Sequence, residues 1–337
     1  MRVKDRLLVY FERHAEEHVS GERLASLLGV SRAAVWKAIQ ELKRDGYRFS
    51  AVTNKGYRLE GDPDVLSRSA IMSYLSVPGE ADIRFYDEVE STNKTAKLLA
   101  MDGAAHGTVV VAARQTGGRG RRGRSFASPE GGIYISVILK PSVMHLDMDG
   151  ALLITSAVAV AVSRAISTVC GIEVSIKWVN DLFYNGRKVC GILSEGVSDF
   201  ESGGLDCIVV GVGVNFSTPL QAFPDELREI AGSLFPSDDA RPRGVSRSRL
   251  AGAIISAILA ESASVSSRKF LEEYRRRSFL IGQSVQVLSP TGGQVPAQVL
   301  AIDDDCRLVV RHTDGSVEHI GTGEVSIRFS PAVKALT

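Results

Sequence analysis

Residues 20–49, SGERLASLLGVSRAAVWKAIQELKRDGYRF, define the N-terminal part of the fold. Apolar residues recur in this segment at helical spacing, Gly29 interrupts the pattern, and Ser31 is a favourable N-cap for the helix that follows. Another helical pattern precedes the segment, and the sequence NKG at residues 54–56 predicts the turn of a short β-hairpin. Three helices and a hairpin over residues 1–62 indicate a winged helix-turn-helix.

The charge of this region favours DNA binding over the alternative, a small helical module that binds other proteins. Residues 1–60 contain twelve Lys and Arg against eight Asp and Glu. Polar and basic side chains at the start of a recognition helix and on a wing suit contacts with phosphates and base edges. The sequence leaves open whether Trp36 packs on the wing or touches DNA. The candidate DNA-binding residues are Ser31, Arg32, Trp36, Lys37, Gln40 and Lys55.

Residues 65–278 alternate predicted strands with predicted helices, which indicates an α/β domain with a mixed sheet. The predicted helices cover residues 91–103 and 149–169 and a pair within residues 250–277. Residues 280–330 contain short strands with turns at residues 292–293 and 314–315, which predicts a small SH3-like β-barrel. The predicted strands of the central domain are residues 82–89, 107–115, 132–140, 174–184, 187–197 and 206–216.

The composition is that of an ordinary globular protein with two or three domains: 337 residues, 44% hydrophobic and 23% charged, with a formal net charge of +1. The N-terminal residues carry charge throughout, and no apolar run of about 18 residues is evident. We therefore expect a cytoplasmic protein without a membrane partner. The cysteines lack disulfide or zinc-ligand spacing and are expected in the core; they are Cys170, Cys190, Cys207 and Cys306.

Positive charge is concentrated in residues 118–126, GRGRRGRSF. Its GxGxxG spacing is typical of dinucleotide sites, but no helix and no acidic residue follow at the required positions. A kinase glycine-rich loop is excluded because the chain lacks HRD and DFG motifs, and RNA-binding arginine-glycine tracts are usually long and of low complexity. A mobile loop that clamps an anion remains, with a solvated basic loop as the alternative.

Other segments favour a ligand. In GVGVN, residues 211–215, alternation places Gly211, Gly213 and Asn215 on one face of a strand, so a flat group could lie against the backbone. Lys188 follows the predicted turn at residues 185–186 and precedes another gap at Gly191. A lysine beside two strands with such gaps is a candidate ligand for a carboxylate or phosphate.

Taken together, these segments resemble the bifunctional biotin protein ligases that also repress the biotin operon, the BirA type. The matching motifs occur in order: SRAAVWKAIQ, ESTN, RQTGGRGRRGRSF, KWVND, GRKVCGILSE and GVGVN. Val179 stands where the family has proline, and Phe126 where tryptophan is common. The resemblance implies a class II synthetase-like catalytic domain between the winged helix-turn-helix and the C-terminal barrel.

The resemblance also implies the reaction and its partners. Biotin and ATP would form biotinyl-5′-AMP and pyrophosphate with Mg²⁺, whose ligands cannot be assigned, and the biotinyl group would pass to a lysine of the biotin carboxyl carrier protein of acetyl-CoA carboxylase. Biotinyl-AMP would favour a homodimer that binds operator DNA. A ligase whose N-terminal domain binds no operator is the alternative.

Site residues are carried over from the resemblance by position. The alternatives are helix capping for residues 91–93, strand-end hydrogen bonding for Gln115, and a Mg²⁺-binding or structural role for Asp181. Those implied for biotin are Ser91, Thr92, Asn93, Gln115, Gly118, Arg119, Gly120, Arg121, Lys188, Gly211 and Gly213. Those implied for ATP are Arg121, Arg122, Arg124, Phe126, Lys177, Asn180, Asn215 and Arg328. The implied catalytic residues are Lys188, Arg119, Arg121 and Asp181, with Asp181 helping to deprotonate the acceptor lysine.

Overall fold

The computed structural model contains an N-terminal helical domain, a central α/β domain and a C-terminal β-domain. This arrangement confirms the predicted order of fold types. The residues that the structure describes are 2–14, 17–52, 55–61, 64–76, 79, 81–146, 148–198, 204–237, 240–288, 293–321 and 325–327.

The N-terminal domain is a winged helix-turn-helix. Its elements are α1 (Val3–Arg13), α2 (Gly21–Leu28), α3 (Arg32–Arg44), β1 (Arg48–Val52) and β2 (Gly56–Glu60). The Ser31 hydroxyl accepts the Ala34 N–H at 3.2 Å and begins α3, whereas Gly29, with φ of +64°, ends α2. The strands β1 and β2 form the predicted antiparallel hairpin, although Asn54 of its turn lies outside the described residues.

Backbone pairing joins the wing to the start of α2. The amides and carbonyls of Val19 and Tyr57 exchange hydrogen bonds of 2.8 and 2.9 Å. At Gly56, with φ of +93°, a Cβ would lie 2.1 Å from the Val19 carbonyl oxygen. This close approach requires glycine at the base of the wing.

The central domain is built on a seven-stranded sheet in the order β3-β4-β5-β9-β8-β7-β6. β3 and β4 are parallel, and the other neighbouring strands are antiparallel. The strands are β3 (Asp82–Val89), β4 (Thr108–Gln115), β5 (Gly132–Leu139), β6 (Ser175–Lys177), β7 (Asp181–Tyr184), β8 (Arg187–Ser198) and β9 (Leu205–Asn215).

Helices cover both faces of this sheet. α5 packs with β4, β5 and β9 in one cluster, whereas α7, α8 and α9 contribute to the larger core. The helices are α4 (Arg68–Ser73), α5 (Thr92–Met101), α6 (Pro141–Met144), α7 (Met148–Cys170), α8 (Arg247–Ala263) and α9 (Phe270–Arg277). The four cysteines are buried, as predicted.

One expectation for the central domain was wrong. Residues 174–184 form the hairpin β6–β7 instead of one strand, because Trp178 leaves the sheet to contact the C-terminal domain.

The segment Leu153–Cys170 of α7, with mean hydropathy 1.7, is long and apolar enough to cross a membrane by length and composition. However, 78% of this segment is buried inside the protein, so packing in the core accounts for its apolar composition.

The C-terminal domain is a five-stranded antiparallel sheet in the order β13-β12-β11-β10-β14. Gly315, with φ of +88°, lies in the predicted turn between β12 and β13. Several of its apolar residues belong to the same core as the central sheet. The strands are β10 (Ser284–Leu288), β11 (Gln294–Ile302), β12 (Leu308–His312), β13 (Val317–Ile320) and β14 (Val325–Ile327).

Residues 64–73 connect the N-terminal and central domains. Arg247 at the start of α8 donates to the Asp64 carboxylate at 2.6 Å and to the Asp64 carbonyl at 2.9 Å. In α4, Ala70 packs in the N-terminal core, whereas the adjacent Ile71 packs in the central core. α4 is therefore part of two hydrophobic cores.

The structure predicts unequal costs for two glycine substitutions in the N-terminal domain. Gly29→Ala meets no atom within 4 Å and should cost about 1 kcal/mol for the positive φ alone. Gly56→Ala adds a clash with the Val19 backbone and should cost at least about 2 kcal/mol. Urea denaturation followed by circular dichroism measures both. Equal losses would show that the backbone contact at Gly56 contributes nothing.

Candidate ligand site and DNA-binding face

A cleft opens over the central sheet, between the N-terminus of α5 and loop 118–126. It brings together most of the residues expected from the sequence. Three expected residues are not part of its lining: Gly118 and Asn215 lie behind it, and Arg328 is outside the described residues. The expected residues that line the cleft are Ser91, Thr92, Asn93, Gln115, Arg119, Gly120, Arg121, Arg122, Arg124, Phe126, Lys177, Asn180, Asp181, Lys188, Gly211 and Gly213.

Glycines form the floor of the cleft, and the ring of Phe126 lies on them. A Cβ on Gly213 would lie 2.5 Å from this ring, and one on Gly191 would lie 2.9 Å from it. A Cβ on Gly211 would lie 2.2 Å from Oδ1 of Asn93. The strands can therefore accept an aromatic ring and an amide in direct contact with their backbone.

Loop 118–126 forms a tight hairpin. The Gly120 N–H donates to the Arg124 carbonyl at 2.7 Å, and the Phe126 N–H donates to the Gly118 carbonyl at 2.9 Å. A Cβ on Gly118 would lie 2.3 Å from the Phe126 carbonyl oxygen. Gly118 is therefore needed for the shape of the hairpin. It does not line the cleft, so in this geometry it does not contact a ligand directly. The mobility expected for the loop stays a prediction.

The arginine loop is tied to the start of α5 through Glu90, a residue to which the sequence reasoning gave no role. Its carboxylate lies 2.5 Å from Nζ of Lys94 and 3.6 Å from the Arg119 guanidinium. The hydrogen bond from Lys94 and the nearby Arg119 lower the pKa of Glu90. Glu90 begins the ESTN motif, but only the fold shows that Arg119 approaches it.

One end of the cleft is a network of hydrogen bonds at the N-terminus of α5. The Ser91 hydroxyl caps the helix. The main-chain N–H and the hydroxyl of Thr92 both donate to Oε1 of Gln115, at 2.7 and 3.1 Å. Gln115 in turn donates to the Ser128 hydroxyl at 2.7 Å. The structural roles considered for these residues are therefore real, and the same side chains line the cleft.

Asn93 is held by the protein on several sides. Its Nδ2 donates to the Leu193 carbonyl at 3.2 Å and to Glu195 at 2.7 Å, and its Oδ1 accepts the Ser136 hydroxyl at 2.6 Å. Glu195 also pairs with Lys97. Asn93 is therefore a buried connection between α5, β5 and β8 that forms the wall of the cleft.

Lys188 and Asp181 form an ion pair at 2.8 Å near the centre of the cleft. The Lys188 ammonium also lies 5.7 Å from the centroid of the Phe126 ring. Its backbone is fixed by hydrogen bonds with Ile230 and Gly232, at 2.8 and 2.9 Å. The lysine expected to meet an anionic ligand is thus anchored on a strand beside the floor.

Of the polar residues expected at the nucleotide end, Lys177 and Asn180 line the cleft, whereas Asn215 lies behind it. Asn180 lines the cleft, and its Nδ2 donates to the Ile192 carbonyl at 2.7 Å. Lys177 also lines the cleft and lies 6.0 Å from the centroid of the Phe183 ring. Asn215 is buried, and its Nδ2 donates to the Gly232 carbonyl at 2.9 Å, so in this geometry it supports loop 230–232.

A second cavity, which no sequence pattern indicates, lies between loop 118–126 and the C-terminal domain. Loop arginines form one side, and the turn between β11 and β12 forms another. It is lined in part by Arg121, Thr155, Ser194, Glu195, Cys306 and Arg307.

The candidate DNA-binding residues lie on α3 and the wing. Arg32, Lys37 and Lys55 are exposed, whereas Gln40 is half-buried. The Ser31 hydroxyl is exposed and also caps α3. Trp36 is 57% exposed and lines a depression between α3 and the wing. A large apolar ring so exposed on a recognition helix is available to a partner.

The chain combines a cationic cleft with a glycine floor in an α/β domain and a winged helix-turn-helix, the two parts of an enzyme with a DNA-binding domain. Three family models match the chain. Biotin/lipoate A/B protein ligase matches residues 86–215, a helix-turn-helix domain matches 5–58, and the biotin protein ligase C-terminal domain matches 280–328.

Relatives agree with these matches. The chain is 42% identical over 231 residues to the bifunctional ligase/repressor BirA of Bacillus subtilis, covering 68% of this chain and 69% of the relative. It is 31% identical over 202 residues to the Escherichia coli protein of the same name, covering 60% of each. The chain belongs to the family of bifunctional biotin ligases and repressors, and it is an ATP-dependent biotin ligase with a repressor's DNA-binding domain.

A solved structure shows the same fold. The biotin protein ligase from Aquifex aeolicus in complex with biotin and ATP superposes with a TM-score of 0.59 at 26% identity. The match covers 74% of this chain and 99% of that one.

The floor of the cleft predicts the effect of Gly213→Ala. The added methyl group would displace the Phe126 ring and release the loop hairpin from the sheet. We expect trypsin to cut at Arg119–Arg124 at least about fivefold faster than in the parent, since cleavage tracks the population of the open state. Gly293→Ala, which meets no atom within 4 Å and needs no positive φ, is the control for a glycine-to-alanine change. Unchanged cleavage would show that Phe126 does not hold the loop.

Proposed function

We propose that the cleft joins the carboxylate of biotin to the α-phosphate of ATP, giving biotinyl-5′-AMP and pyrophosphate. The biotinyl group then passes to a lysine of the biotin carboxyl carrier protein. The proposal rests on one observation. The same cleft is lined by a polar network at the start of α5, a loop with four arginines, and the Lys188–Asp181 pair beside a floor of glycines.

The polar network at the start of α5 suits the ring of biotin. Thr92 and Gln115 present hydroxyl and amide groups that are already oriented by each other. A ureido group needs both donors and acceptors, which these side chains and Ser91 supply. Asn93 and Gly211 close this end as a wall, so biotin is enclosed by groups that are fixed before it binds.

The cationic residues offset the charge repulsion between the two substrates. A carboxylate must approach a triphosphate, so negative charges are brought together, and preorganised cations lower the cost. Arg119 is held by Glu90 and Lys188 by Asp181 before substrates arrive. Arg121, Arg122 and Arg124 of the same loop line the cleft and serve the phosphates.

Phe126, Lys177 and Asn180 are proposed to receive the nucleotide. The Phe126 ring is half-buried against the glycines and supplies an aromatic surface for a base. Asn180 is fixed on Ile192, so its remaining polar atoms keep a defined position. Asn215 would act from behind the cleft, by supporting the backbone of the loop next to Lys188.

Asp181 is proposed to have two tasks. It orients Lys188, and it is the carboxylate that could help an acceptor lysine lose its proton, since a free lysine with a pKa near ~10.4 is mostly ammonium. In the described part of the chain no group of three or more His, Cys, Asp and Glu is placed to hold a metal. Mg²⁺, which often binds through substrate phosphates and one or two carboxylates, would enter with ATP and meet Asp181.

Lys188→Ala should cut biotinyl-AMP formation about 100-fold, because it removes a fixed cation from the reacting groups. Mass spectrometry of biotinyl-AMP and a pyrophosphate assay measure the effect. Lys269→Ala removes one exposed positive charge outside the cleft and should behave as the parent. A folded Lys188→Ala protein with the parent rate would exclude the electrostatic role, and a parent without product would exclude the ligase reaction.

The second half of the proposal is repression that depends on biotinyl-AMP. A two-fold dimer can read a palindromic operator, so a ligand that favours dimerisation also tightens DNA binding. By linkage, DNA tightens the dimer by the factor by which dimerisation tightens DNA binding. β7 pairs with β8 only as far as Gly191. Within the described residues, β8 from residue 193 onward has β9 as its only strand partner, and such an edge can pair with a second copy.

Sedimentation and gel shifts test this half. With biotin and ATP the protein should dimerise at micromolar concentration and prefer its own biotin-gene promoter, with affinity that falls steeply with salt. The double variant Arg32→Ala/Lys37→Ala should weaken promoter binding at least about tenfold and leave biotinyl-AMP synthesis intact. Lys43→Ala/Arg44→Ala removes the same charge from the other end of α3 and should matter less. A monomer without promoter preference would leave the ligase function alone.

A further inference from the structure

Trp178 belongs to the segment Lys177–Asp181 and lines the cleft, yet neither the reaction nor the resemblance gives it a role. It is only 4% exposed, and its indole N–H donates to the Cys306 carbonyl at 2.8 Å. Cys306 lies 128 residues further along the chain, between β11 and β12 of the C-terminal domain. The active-site segment is therefore bonded directly to another domain.

A second contact holds the same segment from the same side. The Tyr274 hydroxyl, on α9, donates to the Val179 carbonyl at 3.0 Å. Tyr274 is fully buried, and burial raises its pKa, so the hydroxyl remains a donor. The next residue, Arg275, donates to the Ile302 carbonyl of the C-terminal domain at 2.8 Å. α9 and the C-terminal domain thus form one support behind Trp178 and Val179.

The turn that carries Cys306 is itself fixed. The Asp303 carboxylate accepts the Arg307 and Asp305 main-chain N–H groups at 2.8 and 3.0 Å, and it also contacts His319 at 2.8 Å. Partial burial opposes ionisation of Asp303, but the hydrogen bonds from His319 and Arg307 outweigh it and hold its pKa at about 2. Asp303 therefore stays charged at any pH used for assays, and the turn keeps its shape.

The segment also forms part of the cleft lining, Trp178 included. Asn180 is bonded to Ile192, and Asp181 is paired with Lys188. We propose that Trp178 is a positioning residue, through which the C-terminal domain sets the place of Asn180 and of the Asp181–Lys188 pair at the nucleotide end of the cleft. This inference rests on the ligase function proposed above. The biotin end is built from α5 and β4, so the effect should be selective for ATP.

The test separates the two substrates. Pyrophosphate release is measured in the full chain with ATP and biotin varied in turn, for Trp178→Phe, Asp303→Asn and Glu318→Gln. Trp178→Phe keeps an aromatic ring but leaves the Cys306 carbonyl without its donor, and Asp303→Asn weakens the turn without touching the central core. Trp178→Phe should raise KM for ATP about tenfold, the effect of losing one buried hydrogen bond, and Asp303→Asn, whose lost bonds are exposed, about threefold. Both should change KM for biotin less than about twofold.

Glu318→Gln is the matched control, because it breaks an exposed pair with His312 in the same domain and should leave both KM values unchanged. A contact that only stabilises the fold would lower the melting temperature and the rate at saturation without a change in KM for ATP, and that result would overturn the proposal. If Trp178→Phe does not fold, Asp303→Asn decides the outcome in the same way.

Fluorescence gives a second readout. The chain has two tryptophans, so in a Trp36→Phe background Trp178 is the sole reporter. Its emission should respond to ATP, and the response should need about threefold more ATP when Asp303→Asn is added. Equal ATP dependence in both proteins would overturn the proposal. A parent that releases no pyrophosphate would refute the ligase function instead, and this titration would still test the contact.

Discussion

The absence of side chains at Gly191, Gly211 and Gly213 is the constraint on which the cleft depends. Because these positions carry no Cβ, the Phe126 ring and the Asn93 amide can lie directly on the strands. Phe126 fixes one end of the arginine loop, and Asn93 fixes the start of α5. Two elements far apart in the chain are thus brought to the same strands, and the space between them is the cleft.

The cations of the cleft are balanced by the protein before any substrate binds. Glu90 and Asp181 hold Arg119 and Lys188, and both contacts are partly exposed, where ion pairs contribute little stability. A multiply charged ligand can therefore take over these cations at small cost. Weak pairs of this kind keep the site ordered when empty without competing strongly with the substrate.

Most of the secondary structure could be predicted from the sequence, because strands β4, β5 and β9 are largely apolar runs bounded by turn residues. The errors have a common cause in contacts between distant residues. Trp178 interrupts a predicted strand because it reaches Cys306, and Gly118 faces Phe126 instead of the cleft. Asn215, which the alternation placed correctly on the glycine face, is covered by the loop at Gly232. Local pattern indicates which residues share a face, but it cannot indicate what covers that face.

The position of α4 in two cores bears on how this protein could have changed in evolution. Ala70 and Ile71 are neighbours in sequence, yet each is buried in the core of a different domain. Shortly before them in the chain, the Asp64 carboxylate accepts a hydrogen bond from Arg247 of the central domain. Losing the winged helix would uncover part of α4, so a lineage that discards DNA binding would need polar replacements on that helix. The composition of α4 is therefore expected to differ between a ligase that keeps the winged helix and one that lacks it.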